Sequence, residues 1–211
     1  MRTEDLIRAL AEDEAQPVRF GPLFRSAVAL GIGIAAAVFF GAIGFRPDIG
    51  QALETARFLF KFVVTGTLAV LAVALLRRMG QPGRSPGRLG AGLAVVPVMI
   101  TVAAALELAA MPRAAWATLL VGSNARFCLT LIPLMAAGPL ALFIAALRQG
   151  APDRPALTGA VAGLAASGIA ATFYAANCTD DSPLFVMTWY PIAAAIVVAA
   201  GALAGRRFLR W

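Results

Sequence analysis

The sequence predicts an all-α membrane protein, a bundle of six transmembrane helices preceded by a short cytoplasmic amphipathic helix. Two observations lead to this fold class. Of the 211 residues, 60% are hydrophobic and only 14% are charged, which is far less charge than a soluble domain of this length carries. In addition, six apolar runs are long enough to cross a bilayer core of about 30 Å, which takes about 20 helical residues. These runs cover residues 23–45, 58–76, 89–111, 127–147, 157–176 and 184–204.

The residues before the first run form a separate segment, 1–22, which is polar and amphipathic. The polar stretch before the first apolar run is too long for the start of a cleavable signal peptide. Leu6, Ile7 and Leu10 form one apolar stripe at helical spacing. The acidic residues around this stripe argue against binding to an anionic membrane surface. Two alternatives remain: the segment is a frayed tail, or it is a helix that binds a groove of another protein.

The orientation is predicted from Lys and Arg near the ends of the spans. With a cytoplasmic N-terminus, 13 of the 18 basic residues lie on the cytoplasmic side. We therefore expect both termini in the cytoplasm, a transmembrane domain over 23–204 and a basic cytoplasmic tail over 205–211. The net charge of +7 then reflects orientation, since direct nucleic-acid binding would need a basic face on a soluble element. The five remaining basic residues are Arg46, Arg57, Lys61, Arg113 and Arg126.

The two cysteines are predicted to lie on the same, outer side of the membrane. Cys128 is in the first turn of the fourth span, within RFCLTL, and Cys178 follows the fifth span, at the end of FYAANC. Small buried side chains, a structural disulfide and a soft-metal site are all open alternatives. The chain has no histidine and no C-x-x-C motif, so the sequence does not indicate which metal such a site would bind. Arg126, two residues before Cys128, is expected to favour a thiolate there.

The segment NCTDDSPLFVMTWY, residues 177–190, concentrates polar groups between the fifth and sixth spans. Ser182 followed by Pro183 predicts the N-cap and first position of the sixth helix. Asp180 and Asp181 are then expected to complement the positive end of that helix.

Two further charges lie inside predicted spans, each near the outer end of its helix. These are Lys61 in the second span and Glu107 in the third. Because charges within a membrane are costly and usually paired, we expect either an ion pair between them or two side chains that reach the headgroups.

Three stretches, RTEDLIRALAEDEAQPVR, RFCLTL and NCTDDSPLFVMTWY, occur in this order together with six spans. In this respect the whole chain resembles the NrsF-type membrane anti-sigma factors. The resemblance implies an inner-membrane protein without catalysis or cofactor that sequesters an extracytoplasmic-function sigma factor. It implies that Cys128 and Cys178 respond to heavy metals or oxidative stress, and that the segment around Leu6, Ile7 and Leu10 holds the sigma factor. The family often has histidine before the second cysteine, and here Asn177 stands there.

Two other classes of function compete with this one. A membrane thiol oxidoreductase normally relays electrons through two cysteine pairs and a quinone, whereas this chain has one pair. A metal or solute transporter places polar groups near the membrane midplane, often at broken helices. Here they gather at the outer rim, and Pro133 and Pro139 in the fourth span are the main hint of a break.

Overall fold

The computed structural model describes residues 20–210, which form helices and connecting loops without a strand. Six segments are long and apolar enough to cross a membrane, so the predicted six-span all-α fold is confirmed for this part of the chain. Leu6, Ile7 and Leu10 lie outside the described residues. The six segments are Phe20–Ile43, Ala56–Met79, Gly87–Ala110, Arg113–Leu147, Pro155–Ala175 and Pro183–Phe208.

Nine α-helices occur within residues 20–210, and eight of them build these segments. The first continues into a π-helical turn, Phe39–Ile43. The third span is broken into two helices, Gly87–Gly92 and Val95–Ala110. The fourth span is the helix Ala125–Leu147, and a short helix, Arg113–Val121, precedes it in the loop. The sixth, α9, extends beyond its predicted end at residue 204. The helices are α1 Phe20–Val38, α2 Ile49–Ala52, α3 Ala56–Met79, α4 Gly87–Gly92, α5 Val95–Ala110, α6 Arg113–Val121, α7 Ala125–Leu147, α8 Pro155–Ala175 and α9 Pro183–Phe208.

Helix α8 lies at the centre of the bundle and packs against α3, α7 and α9. Its contact with α9 is close because two glycine pairs face each other across it. Gly159 and Gly163 on α8 meet Gly201 and Gly205 on α9, and a Cβ at any of them would overlap the backbone of the opposite helix. Both pairs have the GxxxG spacing that lets membrane helices approach without side chains between them.

Helix α5 lies at the edge of the bundle, in contrast to α8. Its buried face, with Val96, Ile100 and Ala104, packs towards α9 and α3. Val98 and Val102, on the other side, are more than half exposed. Apolar side chains at this depth face lipid rather than water, so their exposure is compatible with a membrane-spanning helix.

The loops collect at two ends of the bundle. Residues 44–55, 111–124 and 176–182 lie at one end, which we call the polar end; backbone hydrogen bonds such as Arg46 N–H to Ala176 O connect them. Residues 80–86, 148–154 and 209–210 lie at the opposite end, which we call the arginine-rich end. The loop 148–154 is short and joins α7 and α8 as packed neighbours.

Candidate functional site

Both cysteines lie at the polar end. Cys128 is in the first turn of α7, and Cys178 is in the loop that connects α8 to α9. Each residue is 0% exposed, each thiol is free, and both belong to one cluster of buried residues. The predicted placement at one end therefore agrees with the structure, but the thiols are enclosed by protein instead of facing the outer surface. Burial raises the pKa of Cys178.

Two tyrosines enclose the thiols. Tyr174, one helical turn before Cys178, and Tyr190 have ring centroids 6.0 Å apart, and both side chains lie beside that of Cys178. The hydroxyl of Tyr190 is buried, and no residue of the described chain forms a hydrogen bond with it. Neither tyrosine was predicted at this site, although the spacing of Tyr174 from Cys178, one helical turn, was an available signal.

Lys61, on α3, is 0% exposed. Its Nζ donates to the backbone carbonyl of Cys178 at 2.7 Å and lies 2.6 Å from Oδ1 of Asp181. The ammonium also lies 5.2 Å from the centroid of the Phe58 ring, a distance at which a cation is attracted to an aromatic face. A buried ammonium needs such partners because it has lost its water.

Arg46, in the loop after α1, is 7% exposed. Its Nη1 donates to Oδ2 of Asp181 at 2.8 Å and to the carbonyl of Cys178 at 3.3 Å. Its Nε donates to Asp48 at 2.7 Å, and this bond raises the pKa of Arg46 and lowers the pKa of Asp48. Arg46 and Lys61 thus hold the same carboxylate and the same carbonyl. We call Arg46, Lys61 and Asp181 the cation clamp.

Glu107, on α5, is 4% exposed. Its Oε2 accepts from the Ser182 hydroxyl at 2.5 Å and from the Leu184 N–H at 3.1 Å, and its Oε1 lies 3.2 Å from Nη2 of Arg57. The expectation that Lys61 and Glu107 pair with each other, or reach the headgroups, is therefore wrong. Both are buried, and the start of α9 offers a nearer partner to each of them.

Asp180 links the loop of Cys178 to the start of the helix that carries Cys128. Its Oδ2 accepts from the backbone N–H groups of Ser123 at 2.9 Å and Asn124 at 2.7 Å. The preceding turn can come this close because Gly122, at φ 58°, has no side chain; a Cβ there would lie 2.8 Å from Cγ of Asp180.

The sequence predicted that Asp180 and Asp181 would complement the positive end of α9. In the structure both carboxylates have other partners. Asp180 holds the turn before α7, and Asp181 pairs with two cations. The start of α9 is capped by Ser182, which accepts from the Leu184 N–H at 3.2 Å as predicted, and also by Glu107.

Two other residues predicted near the thiols have different roles. Asn177 donates through Nδ2 to the carbonyl of Gly44 at 3.1 Å, which ties the loop to the end of the first span. Arg126 is exposed, whereas Lys61 is the buried cation that donates to the backbone carbonyl of Cys178. Within residues 20–210, no group of three or more cysteine or carboxylate side chains is arranged to hold a metal ion.

The fold and the site together define a polytopic helical membrane protein with a buried thiol pair at one end of the bundle. The family model described as NrsF, negative regulator of sigma F, matches residues 10–211. The chain belongs to this family.

Two relatives are similar to the chain along its whole length. The anti-sigma-F factor NrsF of Caulobacter vibrioides (strain NA1000 / CB15N) is 36% identical over 215 residues, with 100% of both chains covered. The probable anti-sigma-F factor NrsF of Azospira oryzae (strain ATCC BAA-33 / DSM 13638 / PS) is 30% identical over 213 residues, again with 100% of both chains covered. No solved structure matches the chain.

Proposed function

We propose that this protein is a membrane anti-sigma factor without catalytic activity. It holds an extracytoplasmic-function sigma factor at the cytoplasmic face of the bacterial inner membrane, with both of its own termini in the cytoplasm. The observation that carries the proposal is the full-length similarity to two anti-sigma-F factors, combined with six helices able to cross a membrane. This role needs no cofactor and no direct contact with nucleic acid, because the sigma factor is the protein that binds DNA.

Residues 1–22 are the proposed sigma-binding segment. Leu6, Ile7 and Leu10 supply an apolar stripe that a few residues cannot bury among themselves, and a groove on the sigma factor would cover it. The arginine distribution supports placing this segment in the cytoplasm, where a sigma factor is found.

Cys128 and Cys178 are the proposed sensor. In the oxidative route, the two thiols give up two protons and two electrons to hydrogen peroxide, which is reduced to two molecules of water while the sulfurs form a disulfide. In the alternative route, a thiophilic metal ion displaces both protons and bridges the two sulfurs. Support comes from the placement of both thiols in one buried cluster next to Lys61, which gives a change at sulfur a route to the surrounding charges.

Capture of the partner is tested by co-purification of a tagged sigma factor with the detergent-solubilised protein. We expect Leu6→Glu and Leu10→Glu to lose the sigma factor, because a carboxylate enters an apolar groove only at a desolvation cost of several kcal/mol. The matched control is Ala9→Glu, which adds the same charge beside the stripe and is expected to keep capture. Full capture by the Leu6→Glu, Leu10→Glu double variant would show that the stripe does not bind the partner.

Sensing is tested with a reporter for the sigma-dependent promoter. We expect Cys128→Ser, Cys178→Ser and the double variant to share one phenotype, capture without induction by a peroxide or by cadmium, because either route needs both sulfurs. Normal induction in the double variant, at normal protein level, would reject the sensor and leave the anti-sigma proposal standing.

A further inference from the structure

We propose that the cation clamp is a lock that holds the regulator in its sigma-binding state, and that a change at Cys178 acts by opening it. The inference rests on the proposed function, since it concerns how the sensor at the polar end controls capture. Arg46, Lys61 and Asp181 then control capture, although the reaction at sulfur does not itself need these three residues.

The lock joins three separate parts of the chain through the four residues 178–181. Arg46 reaches this stretch from the loop after α1, and Lys61 reaches it from α3. Both cations hold the carbonyl of Cys178, at 3.3 and 2.7 Å, and both hold the carboxylate of Asp181, at 2.8 and 2.6 Å. Any displacement of residues 178–181 must therefore move the side chains of Arg46 and Lys61 as well, or break their contacts with this stretch.

The sulfur of Cys178 is connected to the same contacts. Its S–H donates to the carbonyl of Asp180 at 3.7 Å, and Nζ of Lys61 lies 3.5 Å from that carbonyl oxygen. A disulfide or a metal-bound thiolate has no S–H to donate. Either change thus removes a donor from the stretch that Lys61 holds, and turns the sulfur towards a new partner.

The charge balance explains why the lock can be opened. Within the described part of the chain, Asp181 is the one carboxylate within 4.0 Å of Nζ of Lys61. Arg46 has a second carboxylate, Asp48, at 2.7 Å. When Asp181 moves away, Arg46 keeps a counter-ion, whereas Lys61 is left as a buried cation without a carboxylate, a state that favours rearrangement of α3.

The first span lies between the lock and the proposed partner. Arg46 is three residues beyond the π-helical end of the first span at Ile43, and its backbone N–H is bonded to Ala176 O, next to the loop of Cys178. At its other end, α1 starts at Phe20, within the last residues of the segment 1–22 that is proposed to bind the sigma factor. The first span, α1 with its π-helical turn, therefore connects the lock to that segment.

The test is Asp181→Asn, which keeps the size of the side chain and removes its charge. We expect the sigma factor to be lost from co-purification, and the promoter to rise at least tenfold without inducer. The same result is expected in the Cys128→Ser, Cys178→Ser background, because the lock is then opened without the thiols. The matched control is Asp48→Asn, which removes a carboxylate that is bonded to Arg46 and, within the described part of the chain, forms no hydrogen bond with residues 178–181; it is expected to retain capture and induction.

Normal capture and normal induction in Asp181→Asn would overturn the proposal. Capture that can no longer be induced would also overturn it, because the clamp would then transmit the signal without locking the captured state. Release by Asp181→Asn together with an inducible double-serine protein would reject Cys178 as the trigger, and this failure of the sensor is distinct from failure of the lock.

If Asp181→Asn does not accumulate in the membrane, a second pair of variants decides. Lys61→Arg retains the cation and is expected to keep capture, whereas Lys61→Met is expected to release the sigma factor at equal protein level. Equal capture by both would contradict the lock.

Discussion

The two ends of the bundle both carry cations, but they place them in opposite environments. At the polar end, Arg46 is 7% and Lys61 is 0% exposed, and each lies within 3 Å of a carboxylate oxygen. At the arginine-rich end the guanidinium groups point into solvent, and one of the few acidic neighbours is Asp153. The exposed arginines there are Arg77, Arg84, Arg88, Arg148, Arg154, Arg206, Arg207 and Arg210.

This difference shows that basic side chains have two different roles in this protein. Exposed arginines act through their number and sidedness, which bias insertion of the chain into the membrane, and any one of them can be replaced. Buried cations act through their individual partners, because breaking a buried pair leaves an uncompensated charge. Sites are therefore expected at the polar end and orientation signals at the arginine-rich end.

The comparison is tested most strongly by orientation, where the expected result is all or none. In the Cys128→Ser, Cys178→Ser background, one new cysteine is placed at Glu54 of the polar end or at Arg84 of the arginine-rich end, both exposed. We expect an impermeant thiol reagent to label Glu54→Cys in intact spheroplasts and Arg84→Cys only after lysis. The reverse pattern would invert the proposed topology.

The native cysteines report differently in the same assay. Because both are fully buried, we expect the wild-type protein to resist the reagent in intact and lysed membranes, and to react after denaturation. Rapid labelling of the wild type under native conditions would contradict the enclosed thiol cluster.

The next effect in size is on stability. Lys61→Met removes a buried cation and leaves Asp181 with Arg46 alone, and we expect a loss of about 3–5 kcal/mol. The measurement is thermal or denaturant unfolding in detergent. The control, Arg148→Met, removes an exposed cation at the arginine-rich end and is expected to change stability by less than about 1 kcal/mol. Equal losses in the two variants would erase the distinction between the ends.

A smaller effect is expected at Glu107. Glu107→Gln keeps one oxygen for the Ser182 hydroxyl and the Leu184 N–H, but it weakens charge-assisted bonds and leaves Arg57 without its partner. We expect a loss of about 1–3 kcal/mol, measured as above. Glu54→Gln, which changes an exposed carboxylate at the same end, serves as the control and should have little effect. A neutral result at Glu107 would show that its charge does not stabilise the start of α9.

Much of this architecture could be predicted from the sequence, because the bilayer imposes a simple rule on length and polarity. Runs of about 20 apolar residues identify the spans, and Ser182 with Pro183 identifies the start of the sixth helix. The common location of Cys128 and Cys178 followed from the alternating direction of the spans.

The contacts inside the polar end could not be predicted in the same way. The sequence shows that Lys61 and Glu107 lie at similar depth, but depth does not tell which helices are neighbours. The start of α9 lies between them, and it supplied Asp181 to one and Ser182 to the other. The burial of Cys178 under Tyr174 likewise depends on close packing around α8, which no local pattern near the cysteine reveals.

The smallest expected effect is the pH dependence of the exposed part of the ionic cluster. Asp48 is 46% exposed, and its hydrogen bond from Arg46 lowers its pKa in the folded protein. In the unfolded chain the pKa of an aspartate is about 3.9. Because the folded pKa is the lower one, the pair contributes stability above the unfolded value, and this contribution is lost as the pH falls through the folded pKa.

We therefore expect the difference in melting temperature between wild type and Asp48→Asn to be small but constant from neutral pH down to about pH 5. Below the unfolded pKa the difference should shrink, and it should vanish once Asp48 is protonated in the folded protein. Added salt should reduce it at neutral pH, because exposed charges are screened. Asp181→Asn, where it accumulates, should show a larger deficit that salt changes little, since that carboxylate lies between two buried cations. Equal salt sensitivity of the two variants would show that Asp181 behaves as a surface charge, and the contrast between exposed and buried ion pairs would then fail at the residue where it is expected to be strongest.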